Sequence, residues 1–156
     1  MNQTPVLKRM ASELFSKLPS WPPSLIMAET LNQALRPLIA DGSLSPLNDK
    51  SIFIVVDDLG LKFNFSLRHT RFVPIPQPAL ADLTIRSTLS DFYLLATRQE
   101  DPDTLFFNRR LVIEGNTELG LIAKNAMDSM EIPKPLFALN NLLKSLDTLK
   151  NRAPVT

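Results

Sequence analysis

An α+β domain with a mixed sheet of about five strands is the architecture that this chain of 156 residues predicts. Two observations support the prediction. Apolar residues before residue 45 recur at helical spacing, whereas residues 52–56 are continuously apolar and residues 61–67 alternate between apolar and polar, as strands do. Helical patterns come first and strands follow, with further helices inserted late in the chain. That order predicts a sheet covered by helices.

Residues 1–23 predict an amphipathic N-terminal arm, because apolar side chains over residues 4–20 fall on one face of a helix. Two interpretations stay open for this arm. It packs on the body of the protein, or it lies in a membrane interface with Leu14, Phe15 and Trp21 in contact with lipid. We expect the folded domain to span residues 24–150 and residues 151–156 to form a short tail.

A second helix is predicted over residues 24–40, with Ser24 as its N-cap, a kink at Pro37 and a left-handed stop at Gly42. Four strands follow, over residues 51–56, 61–67, 71–75 and 81–87. The first two form an antiparallel hairpin, and the third is an edge or exit strand because it runs into prolines.

The later helices carry start signals of their own. Residues 88–97 have apolar side chains at helical spacing, and Asp101 with Pro102 opens a short helix as N-cap and first helical residue. A strand over residues 110–114, a turn at Gly115 and a helix over residues 117–130 come next. We expect a last, leucine-rich helix over residues 136–149 to cover the apolar side chains of the sheet.

The composition excludes several kinds of site. With no cysteine and one histidine, the chain offers no thiolate nucleophile, no iron–sulfur cluster and no His-rich metal site. A formal net charge of +1 argues against a broad nucleic-acid footprint. Neither a phosphate-binding glycine motif nor a nucleophile elbow is present. We therefore predict a protein with no catalytic residue, metal or cofactor. We expect it in the cytoplasm, because its apolar runs are too short to span a membrane.

Three groups of side chains could still carry chemistry. His69, at a polar strand end, is expected to be solvated. The pair Asp57 and Asp58 forms a turn, and the pair Asp101 and Asp103 caps a helix, so each has a structural explanation. Apolar surface is in larger supply, with phenylalanines on the strands and at residues 106–107. A filled core and a ligand cavity both explain it, and composition does not distinguish them.

Four segments resemble the sterol carrier protein 2 domain family: residues 81–85 (ADLTI), 90–95 (SDFYLL), 101–107 (DPDTLFF) and 110–119 (RLVIEGNTEL). The family pattern is a strand and a helix, a short helix beginning D-P-x-x-L-F, then L-x-x-x-G-D/N before another helix. The resemblance covers residues 25–130, and residues 101–121 are similar to a bacterial subgroup of accessory factors for ubiquinone biosynthesis.

This resemblance implies a hydrophobic tunnel between sheet and helices and a non-catalytic, lipid-binding function. The implied ligand is a polyprenylated ubiquinone precursor, a phospholipid or a fatty acid. The implied partners are the iron–sulfur hydroxylase pair UbiU and UbiV, in oxygen-independent ubiquinone synthesis, together with transient contact with the anionic surface of the inner membrane. One alternative is a solid-core scaffold subunit that assembles biosynthetic enzymes without lipid. Another is an enzyme that acts on a lipid through His69 or a carboxylate.

The residues expected to line the tunnel are inward-facing apolar side chains of the strands, the short helix and the last helix. They are Phe63, Phe65, Leu67, Ile85, Phe106, Ile113, Leu136 and Phe137.

Overall fold

The computed structural model describes residues 9–10, 12–14, 17 and 21–130. The predicted last helix, with Leu136 and Phe137, lies outside these residues. Within them, the helices are α1 (Trp21–Ala34), α2 (Arg36–Ala40), α3 (Leu89–Ala96), α4 (Pro102–Phe107) and α5 (Thr117–Ser129), with a 3-10 turn at Ser45–Leu47. The strands are β1 (Ser51–Val56), β2 (Leu61–Arg68), β3 (Arg71–Pro74), β4 (Leu83–Ser87) and β5 (Val112–Gly115).

The strands form one mixed sheet in the order β3-β2-β1-β4-β5. β1 pairs in parallel with β4, and the other neighbours are antiparallel. In this register Ile54 lies opposite Phe63 on β2 and opposite Ile85 on β4, so the three side chains share one face. We call this the inner face of the sheet. The five-stranded mixed sheet and the β1–β2 hairpin are confirmed.

β3 is an edge strand of the sheet, and a side chain of α1 forms hydrogen bonds along its outer edge. The amide oxygen of Asn32 accepts the N–H of Phe72 at 2.7 Å, and its nitrogen donates to the Phe72 carbonyl at 3.0 Å. One asparagine thus supplies both hydrogen bonds that a neighbouring strand would give, which leaves fewer free groups for edge-to-edge association. This contact fixes α1 along the β3 side of the sheet.

The predicted start of the long N-terminal helix is wrong. The helix begins at Trp21, and Ser24 is not its N-cap: the Ser24 hydroxyl is fully buried and accepts the N–H of Asn64 on β2 at 2.8 Å. Proline is tolerated in the first turn of a helix, so Pro22 and Pro23 do not delay the start. The break before Pro37 is confirmed, because α1 ends at Ala34 and α2 begins at Arg36.

In each of the three later helices, a single side chain caps the N-terminus by accepting a backbone N–H of the first turn. Thr88 accepts the N–H of Asp91 at the start of α3, at 3.2 Å. Asp101 accepts the N–H of Thr104 at 3.1 Å and precedes Pro102, as the sequence predicts for α4. Asn116 accepts the N–H groups of Glu118 and Leu119 at the start of α5. These caps satisfy donors that have no partner inside the helix.

Candidate functional site

A cavity of about 750 Å³ lies between the inner face of the sheet and the helices. Ligand sites in proteins usually have volumes of about 300–1,000 Å³, so this space is of ligand size. Strand alternation places one apolar side chain in every two residues against it. The sheet residues that line it are Ile52, Ile54, Val56, Phe63, Phe65, Phe72, Leu83 and Ile85.

Helices α1, α3 and α5 supply the opposite wall of the cavity. Their lining side chains recur at helical spacing, so each helix presents one face to the space. From α1 these are Met27, Leu31 and Ala34, with Leu35 directly after the helix, from α3 Leu89, Phe92, Tyr93 and Ala96, and from α5 Ala123, Ala126 and Met127, with Met130 directly after the helix. Apolar groups thus surround the space on both sides.

Polar groups along the cavity are few. The lining includes Thr30, Asp58, Ser90, Tyr93 and Thr97, and the lining residues that the structure describes include no lysine, arginine or histidine. The Thr97 hydroxyl donates to the Tyr93 carbonyl at 2.8 Å, so it is occupied within α3. A ligand in this space is therefore held mainly by apolar contact.

The exposure of the lining residues indicates that the cavity opens at the first turn of α3. Among the lining residues that the structure describes, Leu89, which is 50% exposed, and Ser90 are the exposed ones, whereas Leu83 at the far side is fully buried. Asp58, in the β1–β2 turn, accepts the N–H of Leu89 at 2.9 Å. We call this region, Leu89 and Ser90 with the turn at residues 57–60, the mouth of the cavity.

An ion pair connects the β1–β2 turn at the mouth to β4. Arg86 on β4 donates to Asp57 at 2.8 Å, and the Asp57 N–H donates to the Ser87 carbonyl at 2.9 Å. The hydrogen bond to Asp57 raises the pKa of the Arg86 guanidinium, so this group keeps its positive charge at ordinary pH. The turn at residues 57–60 is thereby tied to the strand that leads into α3.

The structure brings together three of the predicted lining residues, Phe63, Phe65 and Ile85, at the cavity. Leu67 is buried on the same face of β2 but outside the lining. Ile113 packs at the β5 edge, where its Cγ2 atom would lie 2.9 Å from a Cβ placed on Gly120. Leu136 and Phe137 lie outside the described residues.

Phe106 lies outside the cavity, although the sequence predicts it to face inward. It is 39% exposed on α4, its ring centroid is 5.8 Å from that of Phe107, and the Lys124 ammonium lies 5.7 Å from its centroid. The buried residues of α4 are Pro102 and Leu105. In a helix of six residues only a narrow face reaches the core, and Leu105 occupies it.

The residues predicted to touch a membrane lie near the start of the described chain. Leu14 is 66% exposed and belongs to a short helical stretch. Phe15 lies outside the described residues, and Trp21 is the first residue of α1. The membrane contact of these residues stays a prediction. In the part of the chain that the structure describes, no helix combines the length and apolarity needed to cross a bilayer.

From the sequence alone, the helix residues along the cavity, such as Leu31 and Phe92, have the spacing of an ordinary core stripe. The signal for them was present, because they recur at helical spacing. That spacing identifies the face that turns inward, but it does not reveal whether the facing layer is in contact or stands apart. The helix wall of the cavity was therefore missed.

The groups considered for chemistry have structural roles. His69 is exposed in the turn between β2 and β3, with φ of 58°. Hydrogen bonds from the side chain and backbone of Thr104 lower the pKa of the Asp101 carboxyl, and Asp103 pairs with Lys124 at 2.6 Å. Among the described residues, no group of three or more histidine, cysteine, aspartate or glutamate side chains is placed to hold a metal ion.

Comparison with known proteins identifies a family and a similar protein. Residues 29–128 match the SCP-2 sterol transfer family. The ubiquinone biosynthesis accessory factor UbiT of Escherichia coli strain K12 is 40% identical over 121 residues, which cover 78% of this chain and 69% of that protein.

The fold is also similar to a solved structure, that of the ubiquinone synthesis protein UbiJ-SCP2. The TM-score is 0.51 at 17% sequence identity, and the match covers 81% of this chain and 97% of that one. This likeness supports the fold alone. Together with the match over residues 29–128, the mixed sheet and its covering helices show that the chain belongs to the SCP-2 sterol transfer family.

Proposed function

We propose that this protein is a non-catalytic accessory factor of ubiquinone biosynthesis that holds a lipid in its cavity. Similarity to UbiT supports the pathway, and the apolar cavity of about 750 Å³ supports the binding. The candidate ligands are polyprenylated ubiquinone precursors, phospholipids and fatty acids. Each has a hydrocarbon chain that matches the apolar walls.

Hydrophobic transfer supplies the binding free energy in this proposal. Each methylene group that moves from water into an apolar environment gains about 0.8 kcal/mol. A long chain therefore binds without many polar contacts, which suits a lining whose deep side is formed by residues such as Phe65 and Leu83. The protein needs no catalytic group for this role. It takes up a lipid and presents it to an enzyme.

The cavity is the observation that carries the proposal. A scaffold subunit with a solid core, the main alternative, needs no space between its layers. A lipid-modifying enzyme that uses His69 is also disfavoured, because His69 lies in the exposed β2–β3 turn and not among the residues that line the cavity. Asp58 does line the cavity, but it accepts the N–H of Leu89 and so has a structural role at the mouth.

Native mass spectrometry of the full chain, purified without detergent, tests the proposal. We expect a mass increment that organic extraction identifies as a lipid. Ile54→Trp places an indole in the cavity and should replace this increment by that of a shorter lipid. Val112→Trp, at an exposed position of β5, is the matched control and should keep it. A bare mass for the folded wild-type chain, also after incubation with a prenylated phenol, would favour the scaffold.

We further propose that the protein acts in the cytoplasm, in oxygen-independent synthesis alongside UbiU and UbiV, and visits the inner membrane through residues 1–23. The exposed Leu14 supports this last step, because it leaves an apolar side chain free to enter a bilayer interface. Flotation with phosphatidylglycerol vesicles tests it. Leu14→Glu combined with Phe15→Glu should weaken binding, whereas Leu121→Glu on α5 should not. Equal binding of all three proteins would contradict the membrane role.

A further inference from the structure

The cavity has room for one long hydrocarbon chain. A methylene group is close in size to a water molecule, whose share of liquid volume is about 30 Å³. At that size, a space of about 750 Å³ holds about 25 carbon atoms, which is about five isoprene units. A lipid with two long acyl chains, or a polyprenyl tail of many more units, exceeds this capacity.

The polar end of a ligand has a place at the mouth. Tyr93 lies one helical turn beyond Leu89 and Ser90 on the cavity face of α3, and its phenol hydroxyl makes no hydrogen bond within the described part of the chain. Deeper in, the walls around Phe65 and Leu83 are apolar. A hydroxyl or carbonyl buried there without a partner costs free energy, whereas at the mouth it meets Tyr93 and water.

We propose, on the basis of the lipid-binding function above, that the cavity accepts a single chain of up to about 25 carbons and leaves the polar end of the lipid at the mouth beside Tyr93. When a polyprenyl tail is longer than that, the excess lies outside the mouth and carries the polar end of the lipid beyond Tyr93. The ring of such a lipid then remains reachable by a modifying enzyme while the rest of its tail is held.

A series of prenyl alcohols tests the capacity. Binding to the full chain is measured by competition in native mass spectrometry, from two isoprene units to eight. Affinity should rise about tenfold or more with each added unit, because each unit adds carbon atoms that move from water into the cavity. Beyond about five units the affinity should level off, since further carbons stay in water.

We call the chain length at which the affinity levels off the break. Cavity-filling variants test whether the break depends on the volume of the cavity. Ala126→Phe adds a phenyl ring to the α5 wall, with about as many carbons as one isoprene unit, so the break should move to a chain one unit shorter. Ala96→Phe on α3 should give the same shift and serves if the first variant does not fold. Ala79→Phe, at an exposed loop position, is the control and should leave the break unchanged.

Tyr93→Phe tests where the polar end lies. It should weaken binding of a four-unit alcohol several-fold and leave a hydrocarbon of the same length unaffected. Equal effects on the two ligands would overturn the placement at Tyr93. Affinity that rises steadily to eight units, or a break that the filling variants do not move, would overturn the capacity. Failure of the folded chain to bind any alcohol would instead overturn the proposed lipid-binding function.

Discussion

Helix α5 meets the sheet closely at its first turns and stands away from it at its last. At Gly120, a Cβ atom would lie 2.9 Å from Ile113 Cγ2, so helix and strand are in direct contact. From Ala123 onward the same helix lines the cavity. We call the region of β5 and the first turns of α5, with Leu111, Ile113, Gly115 and Gly120, the packed corner. The residues around the cavity form the cavity wall.

The two regions use the same kinds of residue and differ in the distance between layers. A missing side chain at Gly120 allows the close approach in the packed corner. In the cavity wall, the small side chains of Ala123 and Ala126 do not reach across to the sheet. Apolar side chains therefore make a solid core in one region and a hollow in the other, and substitutions in the two regions should have different costs.

Gly115→Ala should give the largest effect. Gly115 has φ of +108°, and a Cβ atom there would lie 2.3 Å from the Asp82 carbonyl oxygen, which is backbone and cannot move freely. Strain and overpacking together should cost about 3–4 kcal/mol of unfolding free energy, measured by urea denaturation. Gly42→Ala is the control, because Gly42 also has positive φ but no neighbour within 4 Å, and it should cost about 1 kcal/mol. Equal costs would contradict the close packing at Gly115.

A matched pair of leucines compares the two regions directly. Leu111, 1% exposed, lies in the packed corner, and Leu44, 2% exposed, lies in the cavity wall. Leu111→Ala should cost about 3–4 kcal/mol, because it opens a new void, whereas Leu44→Ala only enlarges an existing space and should cost about 2 kcal/mol. Thermal and urea unfolding measure both. If Leu44→Ala costs as much as Leu111→Ala, the hollow beside Leu44 is filled in solution.

Loss of the α5 cap should have a smaller effect. Asn116 accepts the N–H groups of Glu118 at 2.9 Å and Leu119 at 3.1 Å, so Asn116→Ala leaves both donors to water. The expected cost is about 1 kcal/mol by chemical denaturation. Asn125→Ala, at an exposed position of the same helix, should change stability by no more than a few tenths of a kcal/mol. A neutral Asn116→Ala would show that the packed corner alone fixes the start of α5.

The smallest effect concerns pH and a contact of Asp82, the residue whose carbonyl lies against Gly115 in the packed corner. Asp82, just before β4, accepts the N–H of Ser51 at 2.8 Å and its hydroxyl at 3.0 Å. The backbone hydrogen bond from Ser51 is the main cause that lowers the pKa of the Asp82 carboxyl. Because the folded pKa is lower than the unfolded one, this contribution is present above about pH 4 and is lost as the pH falls through the folded value.

Asp82→Asn removes the titrating group, so the variant should lose less stability than wild type when thermal unfolding is followed from pH 5 to pH 2. Asp128→Asn, at an exposed position of α5, is the control and should keep the wild-type slope. A wild-type slope in Asp82→Asn as well would mean that other carboxylates account for the acid sensitivity.

Much of the sheet was predictable because strand signals are local. The alternation from Leu61 to Leu67 fixes which side chains share a face, and Phe63 and Phe65 do lie together at the cavity. The cap at Asp101 was predictable for the same reason, since its partner Thr104 is three residues away. In contrast, Phe106 was assigned inward from its apolar character alone, and the orientation of the short α4 turned it outward.

The sequence by itself determined the helix and strand periodicity of the apolar residues, the turns and the helix caps. These local features also determined which side chains face the interior. Only the tertiary structure decided that part of this interior stays open. The separation between α5 and the sheet depends on how closely Gly120 approaches Ile113 on β5 and Leu83 on β4. These residues come from three different elements, so only the tertiary fold brings them together. Periodicity reports the direction of a side chain, whereas the gap in front of it depends on how far apart the elements pack.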